Sequence, residues 1–290
     1  MSETVFAAVI LAAFLHAGWN AAVKSGSDKF ASMTAVVLGH VIPASVALAF
    51  VPAPAPQSWP WIGLAIALHF GYQCFLLSAY RLGDLTRVYP LARGSAPLIV
   101  AVVSTTLLGT VLSGLEWAAV GLIAAGILSI GLARRAPAPG GAATVPPPDH
   151  RAVAAALVTG LFIASYSLAD GMGARASGSP VGYFAWTAIG GAAAWAVVAR
   201  VRRPGLLRAL PRRMPATFFG GGAASFVAYA LVVWAFAQAP IALVSALRET
   251  SIIFALLIGA FVLRERIDLG RIASTFTMLV GVALLRLVKP

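Results

Sequence analysis

Ala136-Pro-Ala-Pro-Gly-Gly-Ala-Ala-Thr-Val-Pro-Pro-Pro-Asp149 is the one linker-like stretch in a chain otherwise made of long apolar runs, and it lies near the middle of the 290 residues. Proline and glycine at this density disfavour both helix and strand. A helix needs about 20 apolar residues to cross hydrocarbon, where backbone polar groups must be bonded within the segment. Ten segments meet that requirement, at 4–23, 31–51, 60–80, 88–112, 117–132, 152–172, 181–198, 216–236, 243–263 and 269–287. Five precede the linker and five follow it. The expected organisation is a first five-span repeat at 4–133, a cytoplasmic linker at 134–150 and a second five-span repeat at 151–287.

Composition agrees with membrane spans. Hydrophobic residues make up 60% of the chain and charged ones 10%, with a mean hydropathy of +0.90, whereas a soluble domain carries about 25% charged residues. The formal net charge of +12 comes from 21 Lys+Arg against 9 Asp+Glu. A nucleic-acid partner is not expected, because the basic residues fall in short clusters between apolar runs, where they fix topology and meet anionic lipid. The single cysteine, Cys74, allows no internal disulfide and no cysteine metal cluster. The first segment is read as a spanning helix rather than a signal peptide, since it lacks a basic leader and carries Glu3.

Shifting one half along the other by 155 residues brings Arg93-Gly-Ser95 onto Arg248-Glu-Thr250 and Gly126 onto Gly281; a shift of 147 brings Trp19 onto Tyr166. Five spans per copy is an odd number, so the second copy is inverted, the plan of alternating-access transporters. The fold class expected is therefore all-α membrane, ten transmembrane helices in two inverted five-helix repeats around a central cavity. Sixteen basic residues flank the odd-numbered connections, against Arg175, Arg286 and Lys289 on the other side. The positive-inside rule puts the odd connections in the cytoplasm and both termini outside.

Three stretches carry a family resemblance: Trp19-Asn20 in the first span, Tyr89-Pro-Leu-Ala-Arg93-Gly-Ser-Ala-Pro97 in the fourth, and Arg248-Glu249-Thr-Ser in the ninth, followed by Leu263-Arg-Glu265-Arg. With the ten-span layout, the chain resembles the drug/metabolite transporter superfamily, EamA type, and is similar within it to the YddG-like amino-acid exporters. The resemblance implies a cavity walled by spans one to four and six to nine. It implies peripheral fifth and tenth spans, used for packing or for a homodimer, and residence in a bacterial inner membrane. Many members carry Gly-Glu at the ends of both the fourth and ninth spans; here the first half reads Leu108-Gly-Thr-Val, so any role for that pair is one-sided.

Ionisable groups within hydrocarbon cost about 2.5–3.5 kcal/mol each on insertion scales and face a cavity or a partner. Arg93 lies between Pro90 and Pro97, which free backbone carbonyls, so the fourth span is expected to break there. It reads either as a carboxylate site or as a structural bridge to a carbonyl or Glu249. Arg248 and Glu249 are adjacent and point about 100° apart on a helix, so at least one needs a partner elsewhere. A contact between Arg93 and Glu249 is either a gate between the halves or a static pair. His69, Tyr72, Gln73, Leu76 and Tyr80 form one helical stripe, facing the cavity or serving as interhelical hydrogen-bond glue. His16, Trp19 and Asn20 in the first span have the spacing of Tyr166 and Asp170 in the sixth; Asp170 lies either on that wall or near the membrane face beside Arg175. His40 reads as a core histidine, and the Gly121–Ala125 pattern in the fifth span as helix packing.

The expected substrate-binding set is His16, Trp19, Asn20, His69, Tyr72, Gln73, Tyr80, Arg93, Tyr166 and Arg248, with Glu249 and Asp170 for gating or coupling. No metal motif, paired carboxylates or nucleophile elbow is present, so neither an enzyme nor a cofactor is expected. The function read from these residues is export of small organic metabolites, neutral or aromatic amino acids foremost. The alternatives are a proton-coupled multidrug exporter and a non-transporting membrane protein. Facilitated export and proton coupling are both open.

Overall fold

The computed structural model describes residues 1–24, 28–82, 85–132, 150–261 and 269–287, with the side chains of 21–24, 80–81, 85–88 and 132 excluded. The central linker, Gly83-Asp84 and the Leu263–Arg266 motif lie outside the described residues. Among those described the structure is helical and contains no strand. Nine segments among the described residues are long and apolar enough to cross a membrane. The tenth expected span, which carries Arg93, is a helix of 22 residues between two of them.

The first half consists of α1 (Glu3–Lys24), α2 (Lys29–Gly39) and α3 (Val41–Leu48), α4 (Trp59–Leu82), α5 (Leu85–Thr106) and α6 (Gly114–Leu132). The second consists of α7 (His150–Ser177), α8 (Pro180–Arg202), a short surface helix α9 (Leu206–Arg213), and α10 (Gly222–Gln238) entered through a π-helical turn at Ala216–Gly221. α11 (Ile241–Arg248), α12 (Ser251–Phe261) and α13 (Leu269–Leu287) complete it. The second and ninth spans are thus each two helices in line. The fourth ends at Thr106, earlier than its apolar run to 112 suggested. Gly109 there takes a φ of +65°, and Thr110 N–H donates back to the Ser104 carbonyl at 2.9 Å, a Schellman-type stop that outweighs the remaining apolar residues.

The packing is reciprocal between the halves. The first span, α1, packs on the eighth and ninth (α10, α11, α12), as the sixth, α7, packs on the third and fourth (α4, α5). This arrangement is compatible with an inverted ten-helix repeat. The fifth and tenth spans, α6 and α13, pack on each other within the chain. A Cβ at Gly126 would stand 2.5 Å from Met278 Cγ, and one at Gly281 would stand 2.8 Å from the Ala119 carbonyl oxygen. Ser129 and Ser274 hydrogen-bond across the same seam at 2.7 Å. Gly121, by contrast, faces open space, so the close contact runs through Gly126 rather than the Gly121–Ala125 pattern. Glu3 and Arg286 pair at 2.6 Å, bringing the start of the first span and the end of the last to one side, as an even number of crossings requires.

Candidate functional site

The site is built where two spans are interrupted. The ninth is interrupted at Glu249-Thr250, where the backbone switches to i to i−3 bonding: Glu249 N–H donates to the Ala246 carbonyl at 3.1 Å and Thr250 N–H to Leu247 at 3.0 Å. The second is interrupted at His40, between α2 and α3, with Pro43 unable to donate in the turn that follows. Interrupted helices at mid-membrane are where transporters place their binding groups. The fourth span, where Pro90 and Pro97 suggested a break, is one continuous helix. Each proline removes a single donor, and α7 packs against α5 closely enough that a Cβ at Gly160 would stand 2.8 Å from the Ala92 carbonyl oxygen. The helix is held through both prolines.

Arg93 is buried and its guanidinium is fully engaged. Nε donates to Glu249 Oε2 at 2.7 Å, Nη2 to Ser251 Oγ at 3.1 Å, and Nη1 to Tyr89 Oη at 3.3 Å. Nη1 also lies 3.0 Å from His16 Nε2. A guanidinium has no lone pair to offer, so His16 Nε2 accepts and carries no proton in this arrangement. Arg93 therefore ties α5 to α1 and to both sides of the break in the ninth span.

Arg248, its repeat-related counterpart, is in the opposite situation. It is equally buried, at 3% exposure, yet Nε and Nη2 have no hydrogen-bond partner. Its approach to Glu249 Oε1, 3.6 Å from Nη2, is too long for a hydrogen bond. The guanidinium carbon sits 5.9 Å from the Tyr166 ring centre and 5.8 Å from that of Tyr229, so two aromatic faces flank it.

Asp170 is completely buried and accepts from three sides. His69 Nε2 lies 2.9 Å from Oδ2, Tyr229 Oη donates to Oδ2 at 2.7 Å, and Tyr183 Oη to Oδ1 at 3.2 Å. The His69 ring stacks on Tyr166 at 4.1 Å. Asp170 thus belongs to the central wall rather than the membrane face. Arg175 does not meet it, donating instead to the carbonyls of Phe236 and Ala239 at 3.0 and 2.9 Å.

A cavity of about 200 Å³ collects these groups. His16, Trp19, Asn20, His69, Tyr72, Gln73, Arg93, Tyr166 and Arg248 all line it. Glu249 and Asp170 stand directly behind Arg93 and His69, and the Tyr80 side chain lies outside the described residues. Tyr89, Phe184, Thr187, Ser225 and Tyr229 were outside the substrate-binding set expected from sequence, and His40 was read as a core residue; all six are on the wall. His40 faces the cavity because the second span is interrupted at that residue, and its ring meets Phe184 and Phe226 edge-on at 6.5 and 6.4 Å. Tyr89 was legible as the i−4 neighbour of Arg93; Phe184 and Tyr229 had no such signal.

The cavity runs toward the odd-numbered connections, reaching Asn20 near the end of α1, Lys29 at the start of α2 and Tyr89 near the start of α5. Tyr183, Phe236, Leu243 and Leu247, near the even-numbered connections, are buried and do not line it.

Comparison with known proteins supports the same architecture. A protein of solved crystal structure is similar to this chain over 98% of its residues and 97% of its own, with a TM-score of 0.71 and 19% identity, a likeness of fold. No curated protein matches the sequence. Residues 150–287 match the EamA-like transporter family. That likeness covers the second half of this multi-pass membrane protein.

Proposed function

We propose that the protein is a secondary transporter of a bacterial inner membrane that exports small carboxylate-bearing metabolites, neutral or aromatic amino acids foremost, by alternating access. The observation that carries this reading is Arg248, a buried guanidinium on the cavity wall whose Nε and Nη2 make no hydrogen bond among the described residues. A buried donor left unmet costs about 1–3 kcal/mol, more when charged. A substrate carboxylate would meet that demand bidentately. Tyr166 and Tyr229 beside it, with Trp19 and Tyr72 along the wall, offer aromatic faces to an apolar side chain.

Arg93 is the weaker carboxylate anchor, since its donors are already met. The lining that reaches the odd-numbered connections supports export: under the positive-inside rule that end is cytoplasmic, and substrate loads from there. A multidrug exporter would want a carboxylate free on the cavity wall for a cation, and both Asp170 and Glu249 are shielded behind their partners.

The test is flux of labelled phenylalanine, methionine and threonine from liposomes holding the purified protein, with and without a pH gradient. Saturable flux is expected, with Arg248→Lys raising KM about tenfold or more, because an ammonium cannot reproduce the two-pronged fork. Flux no greater than from empty liposomes would overturn the amino-acid assignment.

A further inference from the structure

The connection between the seventh and eighth spans is strongly basic. Arg200, Arg202, Arg203, Arg208, Arg212 and Arg213 fall within it and around its edges, with no acidic residue among them. Its helix α9 has two distinct faces. Leu206 and Leu207 pack into a cluster with Phe30, Val37 and Trp195, and Leu210 is buried against Ala31 and Ala35. Arg208, Arg212 and Arg213 are exposed. The helix therefore lies along the surface of the protein at the membrane end of α8, leucines inward and guanidiniums outward.

Only one of these arginines has an acidic partner among the described residues. Arg203 pairs with Asp28 and stands over the Phe30 ring at 5.2 Å. Asp28 in turn caps α2, accepting from the Ala31 N–H at 3.0 Å. The basic segment thus holds the first turn of α2 by an ion pair, and its second turn by the leucine face of α9. α2 is the half-helix that ends at the His40 interruption and places Met33, Val36 and Val37 on the cavity wall, toward the odd-numbered connections.

Five guanidiniums without an acidic partner among the described residues, at the level where a span leaves the hydrocarbon, match the charge and geometry of phosphate headgroups. Arginine takes phosphate bidentately, and basic segments at a span end are drawn to anionic lipid. We propose that the α8–α10 connection is a binding surface for anionic phospholipid headgroups, and that lipid held there braces α2 as the movable wall of the cavity mouth. This does not depend on the identity of the transported substrate.

The test uses the full chain in lipid nanodiscs and in detergent. Native mass spectrometry of protein purified from mixed phosphatidylglycerol and phosphatidylcholine is expected to show several-fold preferential retention of phosphatidylglycerol. Arg208→Gln/Arg212→Gln/Arg213→Gln should abolish the preference. As a control against unfolding of that variant, the unmodified protein is also washed at rising salt, which shortens the screening length from roughly 10 Å at 0.1 M to roughly 3 Å at 1 M and should strip the retained lipid. Equal retention of both lipids, or retention indifferent to salt, overturns the lipid site. Displacement of the lipid by inorganic phosphate at matched concentration overturns the lipid as the intended occupant. For the bracing, a bimane label on Met33→Cys in a Cys74→Ala background should shift its emission between nanodiscs of phosphatidylcholine alone and nanodiscs containing phosphatidylglycerol; identical spectra overturn that part.

Discussion

Arg93 Nε donates to Glu249 Oε2 at 2.7 Å with both side chains buried, so a helix of the first half is pinned to the interruption in the ninth span by a charged bond. Removing one partner of such a pair leaves the other buried and unmet, at a cost of about 3–5 kcal/mol, whereas replacing both by apolar groups of similar volume is often neutral. Glu249→Gln or Arg93→Leu alone is expected to lower the thermal unfolding midpoint in detergent sharply. The double variant Arg93→Met/Glu249→Leu is expected to recover most of it while losing transport. A double variant that is stable and transports at the parent rate would make the pair a packing element and remove it as a gate.

Asp170 accepts hydrogen bonds from three residues on three different helices. Tyr229→Phe removes one donor and is expected to cost about 1 kcal/mol, while Asp170→Leu strands the Tyr229 hydroxyl and the imidazole, the Tyr183 hydroxyl keeping the Trp61 carbonyl at 3.2 Å, and is expected to cost about twice that. The unfolding midpoints of the two variants, measured side by side, check the ratio. Equal and small losses would mean that the three bonds do not act together.

The seam between α6 and α13 predicts a contrast between two glycines of one helix. Gly126→Leu drives a side chain into Met278 and the Ser274 carbonyl and is expected to destabilise by about 1–3 kcal/mol, the usual cost of overpacking. Gly121→Ala meets nothing within 4 Å and is expected to be neutral or slightly stabilising through helix propensity. Unfolding curves for both variants test the seam directly.

Partial burial works against the charged form of Asp28, but the Ala31 amide and the Arg203 guanidinium outweigh it and hold the carboxyl below its ordinary value. A carboxyl lowered on folding contributes stability that is present at neutral pH and lost as pH falls through its titration range. The pair is exposed, so the contribution is small. The unfolding midpoint of Asp28→Asn should therefore fall slightly below that of the parent at pH 7, with the gap narrowing as pH falls below 3.8, the ordinary carboxyl value. A gap that does not narrow on acidification would assign Asp28 a role other than charge.

Much of the site was legible because burying a charge or an aromatic hydroxyl in hydrocarbon is costly wherever it occurs. That rule singled out Arg93, Arg248, Glu249, Asp170 and the His69 stripe without coordinates. It could not separate the two arginines. Whether a guanidinium is satisfied depends on Tyr89 and Ser251 in one case and on two tyrosine faces in the other, and three of these four residues lie on other segments of the chain from the arginine they serve. The prolines of the fourth span misled for a related reason: a missing donor breaks a helix only where no neighbouring helix holds it straight.

The sequence by itself determined that the chain spans a membrane and where most of its helices run, because partition into hydrocarbon is a property of each segment alone. Only the tertiary structure decided which arginine is left open, that His40 and Tyr229 face the cavity, that the fifth and tenth spans meet at Gly126 and Gly281, and toward which connections the cavity runs. Each of these depends on atoms brought together from segments far apart in the chain, and no local pattern of hydropathy encodes that approach.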